Sequence, residues 1–269
     1  MPKVVACIIA RTVSQRLPLK VLRDINEGTS MIDFLIQRVK GCSAIDKVYI
    51  CTSRESVDDI FEDIAKRNNV QIYRGSSDAV IERMIEVGEI EQADIVLRIT
   101  GDNPFSSIEY VSRQIEFLLQ EKLDYVRLVD VPIGAAVEVI KFESLKDCYA
   151  KMDPAISEYL MLFLFEPKQY NCGIVKPFEN DFSYLSVTVD TPEDLIRAKN
   201  IARLCDKQNL LIDIISLLID ESKNEFFPKK AIQAGGKIKY PYGEEITFEQ
   251  FSNDMQRRKE NSKIVRLYE

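Results

Sequence analysis

Histidine is absent from all 269 residues. That absence removes Ser-His and Cys-His nucleophiles and histidine-bound zinc from the available chemistry. The six cysteines, Cys7, Cys42, Cys51, Cys148, Cys172 and Cys205, never stand as a C-x-x-C pair, and three of them sit inside strand-like apolar runs. They read as mostly buried thiols of a cytoplasmic protein in a reducing compartment. Long apolar runs are missing too. Leu210 to Ile219 is interrupted by Asp213 and Ser216 and falls well short of the roughly 20 residues that span a bilayer. Val4 to Ala10 lacks the charged n-region of a signal peptide and reads as a first β-strand. No membrane segment is expected. Nor is there a surplus of basic residues. The formal net charge is −7, which argues against a general nucleic-acid binder, because binding a phosphate backbone needs a basic surface.

What is present is an ordinary globular balance, 46% hydrophobic and 29% charged, in a chain long enough to bury a full core. Strand-like runs at Val4–Ala10, Lys47–Thr52, Val70–Gly75 and Asp94–Thr100 alternate with amphipathic helical patterns. That order predicts an α/β domain whose mostly parallel sheet carries helices on both faces. The first helix is expected to start at Ser30, because Ile32, Leu35, Ile36 and Val39 then share one face and Asp33 stands at the capping-box spacing. Val57–Asn68, Asp78–Gln92, Ser107–Lys122 and Ala155–Glu166 read as further helices, and Asp124–Val129, Val137–Phe142, Asn171–Val175 and Tyr184–Val189 as further strands. Thr191–Cys205 reads as a helix capped by Thr191, with Pro192 in its first position and Glu193 and Asp194 at the positive end of its dipole. Residues 1–207 are thus expected to form the main domain. Residues 208–269 form a small, mainly helical extension with turns at Gly235-Gly236 and at 240–243 and a charged helix from Thr247 to about Glu260. Packing or oligomerisation is its expected role.

In open α/β sheets ligands bind beyond the carboxyl ends of the strands. The loop after the first strand holds Arg11, Thr12, Ser14, Arg16 and Lys20, cations and small hydroxyls that could wrap a triphosphate. It contains no glycine, so it is neither a Walker loop nor a dinucleotide fingerprint; the alternative is a solvated basic loop. Thr100-Gly101-Asp102-Asn103-Pro104 ends another strand. Its carboxylate either holds a hard divalent ion, Mg²⁺ being the usual case, or belongs to a simple turn. Asp190 offers a second carboxylate, or else a helix cap together with Thr191.

Taken in order, these motifs resemble a known family. Ile8-Ile9-Ala10-Arg11 through Ser14-x-Arg16-Leu17-Pro18-x-Lys20, Thr52-Ser53 with Asp58-Asp59, Arg74-Gly75-Ser76, Arg98-x-Thr100-Gly101-Asp102-Asn103-Pro104, Glu138 and Val189-Asp190-Thr191-Pro192-Glu193-Asp194 look like a cytidylyltransferase of the spore-coat polysaccharide biosynthesis type. Such proteins are relatives of the acylneuraminate and ketodeoxyoctulosonate cytidylyltransferases. The resemblance implies a Rossmann-like nucleotide-diphospho-sugar transferase fold and transfer of CMP from CTP to a sugar acid or sugar-like acceptor. It places Ala10, Arg11, Ser14, Arg16, Lys20, Thr52, Ser53, Arg74, Gly75, Ser76 and Arg98 on the nucleotide, with Arg11 and Lys20 in catalytic roles. Asp102 and Asp190 correspond to Mg²⁺ ligands, and Asn103, Glu138 and Glu158 would face the acceptor. A homodimer is implied as well. Val13 stands where the family usually has glycine, and Tyr159 where it usually has histidine. Two other readings stay open: a binding module without turnover, and a transferase using GTP or UTP.

Overall fold

In the computed structural model, which describes residues 2–14, 16–205, 210–220, 222, 227 and 237–268 and only the backbone of Ser157 and Glu158, eight strands form one mixed sheet. Strand β1 (Val4–Ile9) sits inside it, parallel to β4 (Lys47–Ser53) on one side and to β6 (Ile95–Thr100) on the other. β5 (Gln71–Gly75) follows β4 in parallel. Beyond β6 lies β8 (Glu138–Lys141), antiparallel both to β6 and to β7 (Tyr125–Leu128). β9 (Cys172–Lys176) runs parallel to β7, and β12 (Lys263–Arg266) parallel to β9 at the sheet edge. Two small hairpins, β2 (Asp24–Asn26) with β3 (Thr29–Ser30) and β10 (Lys237–Lys239) with β11 (Glu245–Thr247), stand outside this sheet.

Side chains alternate across a strand, so a strand covered on both faces reads as a continuous apolar run. Val4, Ala6 and Ile8 of β1 enter one core, beneath α1 (Met31–Lys40), α2 (Ile60–Asn68), α4 (Val111–Gln120), α7 (Pro192–Leu204) and α8 (Leu211–Ile219). Val5 and Cys7 enter the other, beneath α3 (Val80–Glu91), α5 (Phe142–Lys151) and α6 (Leu160–Leu164). Helix α1 starts as expected: the Asp33 N–H donates to the Ser30 side chain, and Ile32, Leu35, Ile36 and Val39 are buried. A full capping box between Thr191 and Asp194 begins α7.

Two expected elements differ. Tyr184–Val189 forms no strand. It makes an isolated bridge, Ile133 to Ser186, with backbone bonds to Ile133 alone on that side. Its neighbour cannot supply a ladder, because Pro132 has no N–H and Asp130 and Gly134 take positive φ angles of 58° and 91°. The strand expected over 137–142 also stops early, and Phe142 opens α5, burying Phe142, Leu145 and Cys148 on a helical face.

The C-terminal extension contributes to the main sheet through β12. Its helix α9 (Phe248–Glu260) begins at a Thr247–Gln250 capping box and docks through Arg258, whose guanidinium donates to the carbonyls of Leu162 and Phe165. The Gly235-Gly236 turn lies outside the described residues. All six cysteines are free thiols. Among the described residues no helix is long and apolar enough to cross a membrane.

Candidate active site

The first loop leaves the sheet at Ala10, whose N–H donates to the Cys51 carbonyl at 3.3 Å. Asp58 then anchors it. This buried carboxylate accepts the Thr12 N–H at 2.8 Å and the Thr12 hydroxyl at 2.7 Å, and its second oxygen accepts the Ser53 hydroxyl. Burial alone would raise the Asp58 pKa, but the bonds from Ser53 and Thr12 outweigh it and hold it below the usual carboxylate value. Val13 is 61% exposed and does not take a left-handed backbone, so replacing the family's usual glycine adds no φ strain there. Leu19 does take that conformation, at φ 55° and ψ 29°, and Lys20 opens the 3-10 turn that follows.

Lys20 Nζ stands 2.8 Å from Asp102 Oδ2 and 3.1 Å from Asp190 Oδ1. Arg16 reaches the same Asp190 oxygen at 3.1 Å from an exposed position. Arg11 is exposed on the loop, and Ser14 is half-buried. Local bonds aim the two carboxylates. The Gly101 N–H donates to the Ile9 carbonyl at 2.8 Å, and a Cβ on Gly101 would lie 3.0 Å from that of Ala10, so a small residue lets the ends of β1 and β6 meet closely. The Asn103 amide donates to the Thr100 hydroxyl at 2.6 Å and closes the turn, while the Val189 N–H donates to the Asp102 carbonyl at 2.9 Å and ties the two acidic segments together. Capping falls to Thr191 and Asp194. With turn and cap served by these neighbours, the carboxylates of Asp102 and Asp190 converge on one cation.

Burial would lower the Lys20 pKa, yet Asp102 and Asp190 more than compensate and raise it. For Asp102 the balance is reversed: burial pushes its pKa up, and Lys20 with the Thr100 hydroxyl pulls it below the usual value. Lys20 and Asp102 are therefore both ionised at neutral pH.

Other expected site residues sit differently. Glu138 is buried and does not open toward a ligand. One carboxylate oxygen accepts from Arg98 at 2.7 Å and the other from the Tyr125 hydroxyl at 2.6 Å. Burial would raise its pKa, but Arg98 and Arg127 bring it below the usual value. Arg74 turns to the acidic start of α2, bonding Asp59 and Glu62 and the Ser53 and Glu55 carbonyls. Ser76 is exposed, and its hydroxyl accepts the Asp78 and Ala79 N–H groups at 3.4 Å near the start of α3. Thr52 and Gly75 are buried at the ends of β4 and β5, and the side chain of Glu158 lies outside the described residues. Two residues were not assigned from sequence. Asp58 lay inside a recognised motif without a role, and Arg83, whose guanidinium donates to the Cys51 carbonyl at 3.1 Å, looked like any charged helix residue.

Known proteins resemble this chain in sequence and in fold. The family model described as cytidylyltransferase matches residues 5–171. The spore coat polysaccharide biosynthesis protein SpsF of Bacillus subtilis is 28% identical over 214 residues, covering 72% of this chain and 84% of that protein. A solved cytidylyltransferase from Leptospira borgpetersenii superposes with a TM-score of 0.78 at 24% identity, over 87% of this chain and all of that one. A CMP:2-keto-3-deoxy-manno-octonic acid synthetase solved with CTP superposes with a TM-score of 0.60 at 18% identity, over 75% and 98% of the two chains. The fold is thus the expected nucleotide-sugar transferase type.

Proposed function

Because the chain belongs to the cytidylyltransferase family of CTP-dependent nucleotidyltransferases, we propose that it transfers CMP from CTP to a sugar acid or sugar-like acceptor, releasing pyrophosphate, in surface glycan biosynthesis. The observation that carries this reading is the convergence of Lys20, Asp102 and Asp190, which lie 82 and 170 residues from Lys20 along the chain, at the edge where such sheets bind ligands. The acceptor class rests on the resemblance and on the names of SpsF and the octonic acid synthetase.

In the proposed reaction an acceptor oxygen attacks the α-phosphorus of CTP. The bond to the β-phosphate oxygen breaks, pyrophosphate leaves, and the acceptor oxygen gives up its proton if it began as a hydroxyl. Such displacement depends on positioning and charge neutralisation more than on a covalent nucleophile. Lys20, nearly enclosed and held charged, would stabilise negative charge on the phosphates, with Arg11 and Arg16 binding phosphate oxygens from the exposed side. Asp58 keeps Thr12 and Ser53 in place beneath them. The pairing of two hard carboxylates about one cation fits Mg²⁺, which takes oxygen ligands and completes its shell with water and phosphate. Asp102 and Asp190 would hold it, and its charge would polarise the α-phosphate. The free thiols suit a reducing cytoplasm, and a homodimer is the assembly inferred from the family.

Pyrophosphate release measured with CTP, Mg²⁺ and a panel of sugar acids and sugar phosphates tests the proposal, with release expected for at least one sugar acid. Tight CTP binding without release for any acceptor would favour a binding module instead. Thermal shifts with four nucleotides plus Mg²⁺ are expected to be largest for CTP; a larger shift with GTP or UTP would overturn the base assignment.

A further inference from the structure

Arg83 lies in the first half of α3 and is only 2% exposed. Its Nε is buried without a hydrogen-bond partner, and among the described residues it forms no ion pair. Three other largely buried arginines each bond a carboxylate, although the Arg98 Nε is unpartnered too. Arg98 bonds Glu138 at 2.7 Å, Arg197 bonds Asp194 at 2.6 Å and Arg258 bonds Asp254 at 2.7 Å. A buried guanidinium without a carboxylate is expensive to keep, so its position matters.

That position is directly behind the proposed nucleotide loop. The Cys51 carbonyl accepts from Arg83 at 3.1 Å and also from the Ala10 N–H at 3.3 Å. The stem of Arg83 crosses Gly75, where an added Cβ would meet Arg83 Cγ at 2.6 Å. This contact gives Gly75 a physical reason: a larger residue would displace the arginine. One side chain therefore touches the ends of β4 and β5 and, through the shared carbonyl, the exit of β1. Burial lowers the Arg83 pKa and the neighbouring Arg11 charge acts in the same direction, while Cys51 and the Asp58 carboxylate, which forms no ion pair with Arg83, act against it without reversing it.

We propose that Arg83 is a positioning residue of the nucleotide site, holding these three strand ends in register while its charge, bonded to no carboxylate, is offset by the anionic part of the bound nucleotide. The proposal rests on the CTP reading above. Its test compares wild type, R83Q and R83K by calorimetric titration with CTP and with uncharged cytidine, together with melting of the unliganded proteins. Glutamine can still reach a carbonyl but carries no charge. R83Q is expected to bind CTP about tenfold more weakly or worse, to bind cytidine within about twofold of wild type, and to melt no lower than wild type, since an unpaired buried charge has been removed. R83K is expected to keep CTP affinity within about threefold. Unchanged CTP affinity in R83Q would overturn the proposal, as would equal weakening of CTP and cytidine with a lower melting temperature, the result of a purely structural role. Should R83Q fail to fold, R83K decides: wild-type-like CTP affinity supports the role of the charge, and a loss of about tenfold or more overturns it. Wild-type protein that binds no nucleotide at all would overturn both this inference and the CTP reading, whereas a failure confined to the variants overturns the inference alone.

Discussion

The sheet carries two clusters made from similar side chains. At one, Lys20 lies between Asp102 and Asp190, whose side chains are 30% and 19% exposed. At the other, Glu138 is sealed between Arg98 and Tyr125, with both of its oxygens bonded. Charge type does not distinguish them. Burial and mutual satisfaction do. The Glu138 cluster is complete in itself and joins β6, β7 and β8, whereas the Lys20 cluster gathers opposite charges at a partly open edge where a ligand can rearrange them. Similar charged side chains therefore give a structural joint in one place and candidate chemistry in the other.

The largest expected effect lies on the sealed side. Glu138→Ala leaves Arg98 buried without its carboxylate and should cost about 3–5 kcal/mol of stability, measured by urea unfolding. A variant of nearly wild-type stability that has lost turnover would reverse the comparison and make Glu138 an acceptor-site residue. On the open side, Asp102→Asn should lower kcat by about 10²–10³-fold or more, with a nearly unchanged circular dichroism melt. Wild-type kcat in that variant would remove Asp102 from the mechanism.

Asp58 stands between these extremes, buried but serving the loop. Asp58→Asn should cost about 1.5–3 kcal/mol, the range for hydrogen bonds to a charged group. It should also flatten the acid limb of stability. The folded-state pKa of Asp58 is depressed, so its contribution is present above the ordinary value of 3.8, begins to fall as pH drops below it, and is gone below the depressed value. Melting temperatures across that range, wild type against variant, check the sign; an unchanged acid limb would mean Asp58 is not the anchor. The smallest effect belongs to Leu19, half exposed in a left-handed conformation. Leu19→Gly should raise stability by up to about 1 kcal/mol, and a lower melting temperature would show that the leucine side chain holds the turn.

Much of the fold could be read from local pattern. Ser30, Thr191 and Thr247 each mark a helix start because capping is a matter of neighbouring residues. The buried strands β1, β4 and β6 announce themselves as apolar runs. Tyr184–Val189 has a strand-like alternation but no regular partner, since strand formation requires a second backbone, and Pro132 and Asp130 deny it one. Site residues divide in the same way. Lys20, Asp102 and Asp190 were recognisable at loop and strand ends, while Arg74 and Glu138, equally suggestive by type, are engaged by carboxylates or cations supplied from elsewhere in the chain.

By itself the sequence determined that no histidine can serve as base, nucleophile or metal ligand, and that the first loop contains no glycine. It also determined the α/β order, because hydrophobic period and helix caps are local properties. Only the tertiary structure decided which charges meet. It brought Asp102 and Asp190 onto Lys20, closed Glu138 onto Arg98, placed Asp58 under the loop and buried Arg83 behind it. The environment of a charge is set by what packs over it, and that packing comes from segments far away in the chain.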